Sequence, residues 1–415
     1  MTRTVRATDA SPGSWRGHAS VLALGTFAVG TDAFVIAGLL PEISDSLDVS
    51  VGAAGQLVSV FSLAYALLSP VLATLTSRWS RRSVLILALL VFAVGNVVTA
   101  LAPNYTLVLI SRVVAAAGAA MFTPNAGATA ATLAGAEQRG RAIAIVTVGL
   151  TASLALGAPL GTAIGDALGW QATMWFVTAL ALAVAPVIAL RLPDVAVGAR
   201  AGLRQRLAPL TDRRVVGVLT CTLIAFVGVY LPYTYISAVF EPATGGDSGR
   251  VAILLLVFGL AGTAGNLTAG RLADRKGPRK VVIGATLLLT VVFGLMAVAH
   301  SSYALALVLS AVSGIGSWSV TAPQQQRIIA FAAPGTEPLV VSLNAAVMYL
   351  AISLSSVLGA GILGPGGPAQ LAWTGAAFTV VAALVTVLTG RFERGAGTAA
   401  AAAAPPVAVQ ESPAK

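Results

Sequence analysis

Twelve apolar stretches, each near the length needed to cross a hydrocarbon core of about 30 Å, run through this chain of 415 residues. They fall roughly at 19–41, 54–76, 83–102, 105–132, 141–168 and 171–192, then at 215–239, 250–272, 280–299, 303–331, 338–363 and 369–390. A bilayer interior offers no hydrogen bonds, so a segment inside it must satisfy its own backbone, and stretches this long do so as helices. Only 10% of the residues are charged and 57% are hydrophobic, whereas an ordinary soluble domain carries about a quarter charged residues. The expectation is an all-α polytopic membrane protein of twelve transmembrane helices.

A repeated loop divides the twelve into two sixes. Leu75, Arg78 and Arg82 recur 197 positions later as Leu272, Arg275 and Arg279, both times between two apolar stretches. Two copies of one six-helix bundle, related by pseudo-symmetry, account for that spacing. The expected divisions are a short N-terminal segment at 1–18, a first bundle at 19–192, a linker at 193–214, a second bundle at 215–390 and a tail at 391–415. The linker is polar and arginine-rich. The Ala/Pro tail has no pattern able to bury a core, and is expected to lack fixed structure. The polar first eighteen residues lead straight into a segment long enough to span, which reads as the first helix and not as a cleavable signal.

The net charge of +10 would suggest nucleic acid as a partner in a soluble protein. Here the basic residues lie in loops that alternation of the spans puts on one side: Arg78, Arg81 and Arg82; Arg139 and Arg141; Arg200 to Arg214; Arg271 to Lys280. Both termini share that side. The opposite loops carry Glu42, Asp45, Asp48, Asp166, Glu241 and Asp247, with Arg250 as their one strongly basic residue. The positive-inside rule places both termini in the cytoplasm, and no nucleic-acid partner is needed; 22 arginines against three lysines and many alanines suggest a GC-rich bacterial genome, so the expected location is a bacterial plasma membrane. Cys221 is the sole cysteine, so no intrachain disulfide forms, and no Cys/His cluster points to a metal. No cofactor is expected. An enzyme is disfavoured, since no nucleophile–base pair or phosphate-cradling loop is visible.

Two ionisable side chains sit well inside the spans, Asp32 and Arg112. Such a residue costs about 2.5–3.5 kcal/mol on insertion scales and marks a functional site by default. Asp32 precedes Pro41 by nine residues, about 13 Å along a helix, and Arg112 lies about 10 Å into the fourth span from the same side. They are at comparable depth and able to pair. Desolvation favours a neutral acid and a nearby cation favours the carboxylate, so a movable pair can load and release a proton; a static ion pair that only positions two helices is the other reading.

The fifth span carries Gly149, Ser153, Gly157, Gly161 and Gly165 at every fourth position, with Pro159 among them. One face is stripped of bulk for close packing of another helix, and Pro159 is expected to kink it. Aromatic and amide residues are candidates for lining a substrate cavity: Phe27, Phe34, Tyr65, Phe122, Asn125, Phe226, Tyr230, Tyr233, Asn266, Trp318, Gln324, Asn344 and Tyr349. Tyr230, Tyr233 and Tyr235 also suit an interfacial aromatic belt.

Several of these segments resemble one family. Gly270-Arg-Leu-Ala-Asp-Arg-Lys-Gly-Pro-Arg-Lys280 is similar to the signature loop of the major facilitator superfamily, and Leu75 to Arg82 to its first-half counterpart. The stretch from Gly25 to Pro41 resembles the first helix of twelve-helix drug:proton antiporters, and Arg112 stands where the superfamily carries a fourth-helix arginine. Gly157-Ala-Pro-Leu-Gly161 resembles the antiporter motif; Gly140-Arg-Ala and Gly169-Trp-Gln-Ala-Thr-Met-Trp175 fit the same group. The likeness covers about 19–390 and is greatest to bacterial chloramphenicol exporters and arabinose-efflux-type permeases. Ser77 and Ser80 depart from the family's usual aspartate and glycine, while Asp274 and Gly277 keep them; Asp32 stands where relatives often carry glutamate.

The resemblance implies a monomeric transporter with the major facilitator fold, working by alternating access on a small molecule and protons. The expected function is proton-coupled efflux of a small, fairly apolar drug or secondary metabolite such as chloramphenicol. Asp32 and Arg112 would serve proton coupling. Arg78, Arg82, Asp274, Arg275 and Arg279 would act as gating loops, and Gly157, Pro159 and Gly161 as the antiporter-motif helix. Proton-coupled movement of a sugar or other nutrient is an alternative, and a non-transporting membrane sensor a second.

Overall fold

The computed structural model describes residues 14–193, 202–298, 301–332 and 336–403. Twelve of its helices are long and apolar enough to span a membrane: α1 (Trp15–Ser46), α2 (Val51–Arg78), α3 (Arg81–Leu101), α4 (Tyr105–Gly135), α5 (Glu137–Leu168), α6 (Trp170–Arg191), α7 (Arg213–Thr234), α8 (Ser248–Lys276), α9 (Pro278–Val298), α10 (Tyr303–Ile329), α11 (Leu339–Gly364) and α12 (Pro368–Gly390). Each apolar stretch became one helix, commonly extended by a turn or more, so the connections are short. The chain of residues beyond 390 continues helical to Ala403, where the tail was expected to be irregular; 404–415 and 1–13 lie outside the described residues. The linker holds a short helix at Leu203–Leu207, and its 194–201 stretch is likewise outside them.

Local chemistry sets the helix ends. Ser50, Ser80 and Asn104 cap α2, α3 and α4 by accepting from the amides of Ala53, Ser83 and Leu107, as oxygen-bearing side chains do at N-caps. Ser80, the departure from the signature pattern, therefore has a capping role of its own. In the second copy the turn is made by Gly277 at φ +88°, a backbone conformation that favours glycine. In α10, the ring of Pro323 cannot donate to the carbonyl of Ser319, and the helix is interrupted at Ser319–Val320.

The halves repeat one packing pattern. In the first, α1 packs on α5 and α6, α2 on α4, and α3 on α4 and α6; in the second, α7 packs on α11 and α12, α8 on α10, and α9 on α10 and α12. Adding six to each number of the first set gives the second. Across the interface α2 meets α11 and α5 meets α8, and the same shift exchanges these two pairs.

Contact between the halves is concentrated away from the arginine loops. Ser356 Oγ donates to Gly55 O at 2.6 Å and Ser59 Oγ to Ser353 O at 3.3 Å, tying α11 to α2. Tyr235, fully buried, fits between Gly55 and Gly359 and donates to Ser356 O at 2.7 Å. On the other flank, Gly259 of α8 lies against the backbone of Leu154 and Ala155 in α5. The molecule is closed at the end opposite its basic loops.

Candidate functional site

The two intramembrane charges meet. Arg112 Nη1 lies 2.7 Å from Asp32 Oδ1, with side-chain exposures of 1% and 0%. The guanidinium also stands 4.4 Å from the centre of the Phe61 ring, a second favourable contact for a buried cation. Asp32 Oδ2 and Arg112 Nε are buried without a hydrogen-bond partner, so the pair is neutral overall yet half satisfied. Asn96 of α3 sits beside Asp32 and donates its amide to Phe92 O. It is not among the expected site residues, although an amide in an otherwise apolar span is itself a signal.

Helix α1, which carries Asp32, is clamped by α5. The stripped face of α5 lies along it in steps of one turn: Gly149 against Ala23, Gly157 against Thr31, Gly161 against Val35 and Gly165 against Leu39, with Ser153 against Gly30. A methyl group added at Gly149, Gly157, Gly161 or Gly165 would collide with α1. Pro159 follows a widened turn at Ser153–Gly157, so the expected distortion takes the form of a π-type bulge just before the proline, a device that absorbs local misfit within a continuing helix.

Seven of the aromatic candidates converge. Phe34 of α1 makes edge contacts with Tyr233 and Trp318, both at 6.4 Å, and Tyr230 links Tyr233 to Phe226. Tyr65 of α2 stacks on Tyr349 of α11 at 3.7 Å, across the interface. Tyr230, Tyr233 and Tyr235 are all buried, so none belongs to an interfacial belt: they fill the seam between halves. The space enclosed by Phe34, Ser62, Tyr230, Tyr233 and Tyr349 is about 10 Å³, room for one water. In this conformation the aromatic cluster is closed upon itself.

The remaining candidates sit elsewhere. Gln324 Nε2 donates to Thr222 Oγ1 at 3.0 Å, and Thr222 donates to Asn344 Oδ1 at 2.8 Å, joining α10, α7 and α11. Asn125 accepts from Arg81 at the basic end of α4. Phe122 is buried against Gly25 of α1, while Phe27 and Asn266 are half-buried and outside these clusters. Among the loop residues, Asp274 accepts from Gln326 of α10 at 3.0 Å, and Arg279 donates to Thr386 O and Val387 O of α12. These contacts stay within the second half. Arg78 and Arg82 flank the first loop and Arg275 the second, in the last turn of α8.

A third charge is buried, nearer a helix end than Asp32 and Arg112. Arg327 is 2% exposed and donates to Gln324 Oε1 at 2.6 Å and Thr389 Oγ1 at 3.0 Å. Its place near the end of an apolar stretch made it look like a loop residue. The structure packs Val218, Leu219, Ile328, Val340 and Leu343 into a separate cluster at the same end of the second half.

The family model for the Major Facilitator Superfamily matches residues 22–241 and 218–411. The chain belongs to that superfamily. It is a membrane transporter, not an enzyme. The uncharacterized MFS-type transporter YbcL of Bacillus subtilis (strain 168) is 33% identical over 89% of this chain and 94% of its own. A chloramphenicol resistance protein of Streptomyces lividans is 31% identical over 83% and 88%. A solved bacterial homolog of the human lysosomal transporter Spinster, inward-facing and unoccupied, superposes with a TM-score of 0.78 at 19% identity over 92% and 98%, and so shares the fold. The twelve spans and the two exchangeable halves are those of a multi-pass secondary transporter, which acts on a small molecule within the membrane.

Proposed function

We propose that this transporter exports a small, fairly apolar compound in exchange for protons, with Asp32 as the proton carrier. The observation that supports it most is the Asp32–Arg112 pair: among the described residues Asp32 is the only acid whose whole side chain is buried, whereas Glu42, near the outer end of α1, hides its carboxylate oxygens but stays half-buried as a residue. A neutral ion pair holds no net charge for a substrate to oppose, and the adjoining surfaces are aromatic rings and uncharged hydroxyls. That chemistry suits a neutral or weakly polar molecule. The name of the Streptomyces lividans relative makes chloramphenicol a concrete first candidate.

In the proposed cycle the basic end faces the cytoplasm, following the positive-inside rule. Substrate reaches the seam from that side while Asp32 is ionised and held by Arg112. Protonation of Asp32 from outside removes the ion pair, leaves Arg112 with the Phe61 ring it already faces, and favours release and return. The α2–α11 and α5–α8 contacts rock between the two ends, and the chain acts as a monomer in the plasma membrane.

The test is accumulation of chloramphenicol and of a fluorescent dye in efflux-deficient bacteria expressing wild type or Asp32→Asn, with and without a protonophore. Wild type is expected to lower accumulation only while the gradient stands, and the variant to insert normally without lowering it. Undiminished, protonophore-sensitive export by the variant would remove Asp32 from the coupling. Accumulation raised by wild type would identify uptake instead.

A further inference from the structure

Away from the central seam, a crevice of about 370 Å³ opens beside the basic ends of α8 and α9 and the middle of α10. Its walls are hydrocarbon, with Leu272, Leu288 and Ile315 each more than a third exposed. The hydroxyls on the wall are already engaged: Thr268 Oγ1 donates to Ala264 O at 2.8 Å and Ser319 Oγ to Gly265 O at 3.3 Å. Lys276 and Lys280 line the same crevice from either side of the Gly277 turn. Leu288 lies eight residues, about 12 Å, deeper along α9 than Lys280. The crevice is thus long and apolar within, and cationic where it reaches the membrane surface.

Both lysines are free of carboxylates among the described residues, whose ion pairs are Arg112–Asp32 and Arg214–Asp212. Asp274, the acid nearest in sequence, is engaged by Gln326, and Arg279 is held on carbonyls of α12. The chain has only three lysines among its 25 basic residues, and two of them stand here. A compact ammonium on a flexible stem suits a phosphate approached from the side, and basic pockets between helices at the cytoplasmic face are suited to anionic headgroups.

We propose that this crevice holds one anionic phospholipid of the leaflet at the basic end, with its phosphate between Lys276 and Lys280 and an acyl chain along Leu272, Leu288 and Ile315. The bound lipid touches α8 and α9 on one side and the interrupted turn of α10 on the other. It braces the second half where Asp274 reaches Gln326.

Native mass spectrometry of the purified full-length protein tests this, with phosphatidylglycerol, phosphatidylcholine of the same acyl chains, and glycerol 3-phosphate as competitor. Wild type is expected to retain phosphatidylglycerol roughly 30-fold better than phosphatidylcholine, the effect of two lysines near an anionic surface. K276Q/K280Q should lose that preference, whereas R139Q/R141Q, equal in charge removed but distant in sequence, should keep it. Gly284→Leu fills the crevice where an added Cβ meets nothing within 4 Å, and should lose the lipid with both lysines intact. Equal retention of the two lipids, retention by Gly284→Leu, loss in R139Q/R141Q, or displacement by an equal concentration of glycerol 3-phosphate would each overturn the proposal.

Discussion

The two halves share a pattern of helix pairing and differ in what they bury. The first encloses a carboxylate, Asp32, against Arg112 and Phe61. The second encloses amides and hydroxyls, with Gln324, Thr222 and Asn344 bonded in series and Arg327 donating to Gln324 and Thr389. Duplication supplied one scaffold twice, yet only α1–α6 hold, among the described residues, a buried acid able to change charge. Proton binding and substrate contact need not be shared equally between symmetric halves. A proton site needs one ionisable group in a dry place, whereas binding needs a surface drawn from both sides of the seam.

The sharpest way to break this comparison is to remove each buried arginine in turn. Arg112→Gln leaves Asp32 without its cation, and losing one partner of a buried pair costs about 3–5 kcal/mol. A large drop in thermal stability in detergent is expected, together with loss of protonophore-sensitive export. Arg327→Gln removes hydrogen bonds to uncharged groups, about 1–3 kcal/mol, and should leave export coupled to the gradient. If the two variants behave alike, the asymmetry has no functional content.

Next in size is the α1–α5 contact. Gly157→Val should force α5 from Thr31 at a cost of about 1–3 kcal/mol and stop transport, with insertion into the membrane unchanged by immunoblot. An active, well-inserted Gly157→Val protein would show that this clamp is dispensable. Replacing Tyr65 by Leu removes the stack on Tyr349, about 0.5–1.5 kcal/mol beyond area, and should weaken closure of the seam. Labelling of a cysteine placed at Ser62 should then quicken; an unchanged rate would mean that the stack does not hold the seam shut.

The smallest effect concerns the entrance to the second half, where Asp212 accepts from the amide and side chain of Arg214. Those bonds hold the carboxyl below its ordinary value. Its stabilisation is complete above the unfolded value of about 3.9 and disappears as pH falls through the lower folded value. Asp212→Ala should cost about 1 kcal/mol at neutral pH, less where solvent screens the partly exposed pair. Thermal melts of wild type and variant should converge in strong acid; a gap that persists there would assign the effect to something other than ionisation.

Most of the fold was legible because hydrocarbon imposes a length and a composition on anything that crosses it. The Asp32–Arg112 pair was legible for the same reason, since charges at matching depth in apolar helices stand out. Arg327 was not, because it lies within a few residues of the end of an apolar stretch, where a loop arginine looks the same. Burial there depends on Val218, Leu219 and Val340 closing around that end, which is a tertiary event. The tyrosines at the end of α7 were ambiguous on similar grounds: a ring near a helix terminus suits a headgroup belt or a packed seam equally well, and only the approach of α2 and α11 decides. Asn96 needs no tertiary information: an amide within the apolar run of α3 is a signal in the sequence itself.

The manner in which α5 holds α1 separates two kinds of evolutionary change. Along that line the helix that carries Asp32 rests on backbone, through Gly149, Gly157, Gly161 and Gly165, so there is little side chain to trim and any enlargement collides at once. Around the seam, by contrast, Phe34, Trp318, Tyr230 and Tyr349 offer rings that can be exchanged or shortened one at a time. A lineage under selection can therefore rewrite the lining of the seam while α1 stays nearly frozen.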